Sequence, residues 1–270
     1  MSADLTLSTP RGAIQQSLSF RILAVLIALF SDIHSNREAF AACLAQARAA
    51  GAERFVLLGD YVGYGADPEW AVHTVMELVR EGAPAVRGNH DAAVGDSSER
   101  MNTAADIAIE WTRRQLGVAE RRFLAELPLM REEGDRLYVH AEASDPIRWK
   151  YVLDADSAGR SMMATNAQLT FCGHCHLPAL YTMSAAGKMT AFTPVTGSPI
   201  QILPRRRWLA VLGSVGQPRD GNPAASYALF DTEKRELTYR RAAYDVAAAA
   251  ARIRQKGLPD WLADRLLIGQ

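Results

Sequence analysis

Six histidines punctuate the 270-residue chain: His34, His73, His90, His140, His174 and His176. Five of them fall where a predicted strand meets a loop, most with Asp, Asn or Gly close by. That is where ligands bind in open α/β sheets, beyond the carboxyl ends of the strands. In Ser31-Asp32-Ile33-His34, an extended backbone would send Asp32 and His34 to one side, where both can reach one ion, and Ile33 into the core. In Gly59-Asp60, the glycine permits a tight turn, and the carboxylate has enough lone pairs to bridge two cations. In Gly88-Asn89-His90-Asp91, the Asn89 amide oxygen suits a hard or borderline divalent ion. A carboxylate from Asp91 within reach of His90 would favour the charged, proton-donating imidazole. His140 closes another strand. In Gly173-His174-Cys175-His176, two imidazoles two residues apart could each give a ring nitrogen to neighbouring metals. His73 lies inside a helix between Val72 and Val75 and reads as structural.

The elements that must position these residues follow from patterning. The apolar run Ile22–Phe30 predicts a strand covered on both faces. Ser35 or Asn36 caps a helix through about Ala50, which Gly51 closes. Arg54–Leu58 predicts a second strand, Pro68 opens a helix to about Arg80, and Ala83–Arg87 predicts a third strand. This β-α-β-α-β order implies parallel strands with right-handed crossovers. Residues 100–127 read as helical, 137–140 as a strand, 156–164 as a helix and 169–172 as a strand. Short strands follow at 179–183, 189–193, 199–203, 207–212, 225–231 and 236–241, before helices at 244–255 and 260–267. An α/β half followed by a β-rich half predicts two sheets packed face to face with helices outside. Residues 1–20, rich in Ser, Thr and Gln, read as a disordered leader. The remainder, 21–270, reads as a single domain with a mostly helical insertion at about 95–165.

Thirty basic residues balance thirty acidic ones. With no basic stripe, an extended nucleic-acid surface is not expected, and Arg205–Arg207 reads as a solvated strand edge. No apolar run is long enough to span a bilayer, so no membrane partner is expected and the cytoplasm is the default compartment. Three cysteines, Cys43, Cys172 and Cys175, do not form a disulfide framework.

Taken in order, Asp32-x-His34, Gly59-Asp60, Gly88-Asn89-His90-Asp91, His140 and Gly173-His174-x-His176 resemble the motifs of the calcineurin-like metallophosphoesterase superfamily. Gly213–Arg219 resembles the closing loop of its small bacterial phosphodiesterase branch. Val139 stands before His140 where relatives often have glycine. The resemblance implies an α/β/β/α sandwich of two mixed sheets flanked by helices. It also implies two divalent ions (Mn, Fe, Zn or Ni), one on Asp32, His34, Asp60 and His176. The other would lie on Asp60, Asn89, His140 and His174, with Asp60 bridging. His90 would be the proton donor and Asp91 its orienting partner. The expected chemistry is phosphodiester or phosphomonoester hydrolysis of small molecules or nucleotides by attack of a metal-bridging hydroxide. Dinucleoside polyphosphatase or protein phosphatase activity is the alternative, and a non-catalytic scaffold the reading from another class. Asn36, Arg37, Tyr64 and Arg219 could touch substrate. Asp67 could shape the mouth of the site, and the 95–165 insertion could overhang it.

Overall fold

The computed structural model describes residues 25–96 and 103–270; the expected leader at 1–20 lies outside the described residues. Eleven strands form two mixed sheets among the described residues. The first sheet has the order β2-β1-β10-β11-β8, from Arg54–Leu57, Leu26–Phe30, Ala225–Asp231, Glu236–Ala242 and Pro199–Gln201. The second has the order β3-β4-β5-β9-β6-β7, from Met130–Glu133, Arg136–Val139, Leu169–Cys172, Arg207–Val211, Ala179–Met183 and Met189–Phe192. Strand alternation builds the layers. Ile27 and Leu29 of β1 point between the sheets, where they meet Phe171, Trp208 and Phe230. Ala28 and Phe30 point outward, onto Phe40, Cys43 and Leu44 of α1 (Arg37–Ala49) and onto α2 (Pro68–Arg80). On the far side, Leu137, Val139, Cys172 and Leu209 pack on Ala158 and Met162 of α6 (Ala155–Met163). The result is an α/β/β/α sandwich.

Several elements depart from the sequence expectation for physical reasons. The third strand at Ala83–Arg87 shrinks to a single bridge, Leu57 with Ala85. Pro84 has no N–H to donate, and only two hydrogen bonds form, Leu57 N–H to Pro84 and Val86 N–H to Leu57. Asn89–Gly95 forms a short helix, α3. The helical stretch at 100–127 is two helices, α4 (Thr103–Gln115) and α5 (Val118–Glu126), parted at Gly117, which is extended as the N-cap of α5. Both pack on α2 and α3. Strand β3, unforeseen, pairs with β4, and β4 is an integral strand of the second sheet. The chain ends in α7 (Val246–Gln255) and α8 (Asp260–Ile268), which pack on each other. Among the described residues, no helix is long and apolar enough to cross a membrane.

Candidate metal centre

The motif residues leave the tips of β1, β2, β4 and β5 and converge on one buried cluster. Asp32, His34, Asp60, His140, His174 and His176 are each at most 7% exposed. The loops that carry them are tied together. Asp32 N–H donates to Gly59 at 3.0 Å, His34 N–H to Asp60 at 2.9 Å and Gly173 N–H to His140 at 2.9 Å. The segment after β9 closes over the first motif: Val215 N–H donates to Ser31, and the Ser214 hydroxyl donates to the Asp32 carbonyl at 2.8 Å.

Backbone conformation, not strand alternation, brings Asp32 and His34 together. Asp32, His34, Asp60, His174 and His176 all have φ between 49° and 67°. Side-chain-bearing residues seldom adopt this left-handed region, and such strain gathers at functional sites. The expectation of an extended Asp-x-His pair is therefore corrected. The strand ends at Phe30, and a left-handed turn aims both side chains inward. Close approach matters at Gly173, where a Cβ would stand 1.8 Å from the Ser31 hydroxyl and 2.3 Å from an Asp32 oxygen.

The imidazoles are oriented through the nitrogen that does not face the cluster. Nδ1 of His34 lies 3.1 Å from the Val62 carbonyl, Nδ1 of His140 2.7 Å from Leu58, and Nδ1 of His176 2.7 Å from Gln217. His174 is held the other way round, Nε2 at 2.8 Å from the Trp149 carbonyl. A carbonyl can only accept, so each of these nitrogens carries the hydrogen, and the opposite nitrogen of the neutral ring presents a lone pair. The inward ring nitrogens face one another and the acidic and amide oxygens. His34 Nε2 lies 3.0 Å from His176 Nε2, and His176 Nε2 lies 3.3 Å from Asp32 Oδ1. Asp60 Oδ2 lies 3.3 Å from His140 Nε2, and Asn89 Oδ1 lies 3.2 Å from the same nitrogen. Electron-rich atoms packed this closely, away from water, repel unless positive charge, a proton or a metal ion, sits among them. Three such donor groups emerge: Asp32, His34 and His176; Asp60, His140 and His174; and His34, Asp60 and His90. The mixed nitrogen and oxygen donor set fits divalent cations of the Mn, Fe, Ni and Zn kind.

Protonation follows burial and neighbours. Burial pushes the Asp32 carboxyl up, but the His176 ring outweighs it and holds the group well below the usual range. For Asp60 too, burial is overcome, by His140 and His90. Burial opposes charge on His140, yet the Asp60 carboxylate lifts it to about 9. Burial lowers His90 to about 4 and His174 to about 3.

The flanking residues divide. His90 Nε2 faces Asp60 Oδ2 at 3.9 Å, while its buried Nδ1 has no partner among the described residues and lies against Gly63. Gly63, which sequence reasoning missed, has φ +88°, and a Cβ there would come 2.3 Å from that nitrogen. Asp91 does not orient His90, a correction to the expected role. Its oxygens accept N–H groups from Asp60 at 2.8 Å, Tyr61 at 2.9 Å and Gly88 at 2.9 Å. It thereby fixes the turn carrying Asp60 and the start of α3; burial, with repulsion from Asp60, raises its carboxyl to about 7. Asn36 caps α1 through Ala39 N–H and donates to the Gly216 carbonyl. Arg37 lies over the Trp70 ring, and Asp67 pairs with Arg252, so these three serve the scaffold. Tyr64 and Arg219 do reach the cluster: the Tyr64 ring packs 4.6 Å from His34 and 4.5 Å from His90, and Arg219 lies over Tyr64 at 6.0 Å. Cys175 donates to Val152, and Cys172 is buried in β5, so the Cys-x-x-Cys pair is packing.

A family model for the calcineurin-like phosphoesterase superfamily domain matches residues 25–235. The chain is 34% identical over 256 residues to an uncharacterized protein of Methanocaldococcus jannaschii, covering 91% of this chain and 98% of that one. Among solved structures, a metallophosphoesterase from Sphaerobacter thermophilus superposes with a TM-score of 0.79 at 34% identity, over 92% of this chain and 100% of that one. A hypothetical protein from Pyrococcus horikoshii OT3 shares the fold with a TM-score of 0.73 at 18% identity, covering 91% and 99%.

Proposed function

The chain belongs to the calcineurin-like phosphoesterase superfamily, and from that premise we propose that it hydrolyses phosphodiester or phosphomonoester bonds of small molecules or nucleotides with two divalent cations. The observation that carries this reading is the set of inward ring nitrogens, each backed by a backbone carbonyl on the opposite ring nitrogen. Asp32, His34, Asp60 and His176 would hold one cation. Asp60, Asn89, His140 and His174 would hold the other, Asp60 being shared. When bound, such a pair polarises phosphate oxygens and brings the pKa of water toward neutrality. Ligand nitrogens must be neutral, so cation binding releases the proton that His140 otherwise carries.

The remaining side chains supply positioning and proton transfer. His90 presents Nε2 to the cluster and would pass a proton from it to the departing oxygen, a contribution of roughly 10²–10⁴-fold. The Asp60 carboxylate and the bound phosphate favour the protonated ring against the burial that otherwise lowers it to about 4. Arg219, whose Nε is buried without a hydrogen-bond partner among the described residues, binds phosphate oxygens. Metal analysis of the purified protein, together with turnover of bis-p-nitrophenyl phosphate and p-nitrophenyl phosphate, tests the reading. Stoichiometric cation and cleavage of at least one ester are expected. A protein that binds no cation and cleaves neither, with Mn, Fe, Zn or Ni supplied, ends it.

A further inference from the structure

Beside the cluster stands a side chain that the reaction as described does not use. Tyr151 lies flat on the His174 ring, with centroids 4.2 Å apart and planes within 11°. It is nevertheless 49% exposed; among the described residues no second ring or cation stacks over its other face, while the Arg219 charge acts on its hydroxyl. A single exposed aromatic is ordinary on a protein surface; what marks this one is its fixed seat on a ring of the cluster.

Its setting is rigid. The three backbone carbonyls nearest to it in sequence are tied to the body of the protein. Trp149 accepts from the His174 ring at 2.8 Å, Lys150 from Glu142 N–H at 3.0 Å, and Val152 from the Cys175 thiol at 3.3 Å. Trp149 itself has φ 50°, so the chain is turned sharply just before Tyr151. Close by, Tyr64 packs on His34 and His90, with Arg219 over its ring. An aromatic fixed in advance presents area at little entropic cost on binding.

Resting on the proposed phosphoesterase reading, we infer that Tyr151 is a specificity-determining platform: it stacks on a planar aromatic group esterified to the phosphate. The substrate class is therefore aryl or heteroaryl phosphate esters in preference to alkyl ones. Aromatic rings pair in offset-stacked or edge-to-face arrangements with energies that correspond to discrimination of about two- to tenfold beyond area alone.

The test uses the metal-loaded protein and ligands that cannot be cleaved. Phenylphosphonate and cyclohexylphosphonate match in charge and nearly in size, but only one is aromatic, and their P–C bond resists ester hydrolysis. Calorimetric titration should show the wild type binding phenylphosphonate about two- to tenfold more tightly. Tyr151→Ala should erase that preference while leaving affinity for inorganic phosphate unchanged, and Tyr151→Phe should keep it. Equal binding of the two phosphonates by the wild type overturns the inference. So does a Tyr151→Ala protein that weakens phosphate and both phosphonates alike, since the ring would then only brace His174. Ester turnover, assayed separately, reports on the phosphoesterase reading: a protein that keeps the aromatic preference but cleaves no ester retains the platform and loses the reaction.

Discussion

The two sheets contribute unlike chemistry to one centre. Loops at the tips of the first sheet, with the short helix beside them, bring every carboxylate and the amide: Asp32, Asp60, Asp91 and Asn89, along with His34 and His90. The second sheet brings imidazoles alone, His140 after β4 and His174 and His176 after β5. Negative charge thus resides on one wall and ring nitrogens on the other. A cation at the seam would neutralise the first wall and take its remaining ligands from the ring nitrogens of the second. The lesson is that neither half is a site by itself. Convergence depends on the packed layer between the sheets, where Ile27 and Leu29 meet Phe171 and Phe230.

That asymmetry can be broken at several points. The largest expected effect is from Asp60→Asn, which removes the one carboxylate common to two of the three donor groups. Metal analysis should show both cations gone, with no measurable turnover. If both persist, the sharing is misassigned. Next is His90→Gln, on the first wall but placed here as proton donor. Turnover should fall roughly 10²–10⁴-fold, most on esters with poor leaving groups, with metal content unchanged. Loss of a cation would instead make His90 a ligand, as its proximity to His34 and Asp60 permits. On the second wall, His176→Ala should leave one cation, held by Asp60, Asn89, His140 and His174, visible as a halved stoichiometry. Asp91→Asn replaces an acceptor of three backbone N–H groups. A loss of metal affinity or activity of about 10–100-fold is expected, as for partners that orient ligands, and an unchanged enzyme would show the Asp60 turn to be self-supporting. Smallest is removal of the metals by chelation, which should lower stability by about 2.7 kcal/mol for each site previously filled at a hundredfold excess over Kd. Circular dichroism should remain native-like, because the core between the sheets holds no cation.

Much of this was legible because chemistry and topology coincide in the sequence. Apolar runs ended in Asp, Gly, Asn or His, and such endings mark the binding edge of a sheet. What escaped depends on partners distant in the chain. Strand β3, Met130–Glu133, is charged and largely exposed, and only pairing with β4 makes it a strand. The strand at 83–87 looked continuous, yet Pro84 costs it the donor needed for a ladder. The proximity of Asp32 and His34 was expected for the wrong reason, since a left-handed turn and not an extended one unites them. Asp91 sits beside His90 in sequence, but being at the third helical position of α3 turns it back onto backbone amides. Asn36 and Arg37 adjoin the first motif, but helix α1 carries them to capping and to Trp70. Tyr151 lies in a segment without periodicity, and nothing local shows that its ring will lie on His174, 23 residues ahead.

The atoms that steer His34, His140 and His176 are carbonyl oxygens, of Val62, Leu58 and Gln217. Every amino acid owns that oxygen. Mutational drift at positions 58, 62 and 217 can therefore change the side chain without detuning the rings, provided the chain keeps its path. The aim of these histidines is inherited through the shape of the main chain, where a comparison of sequences alone has nothing to read.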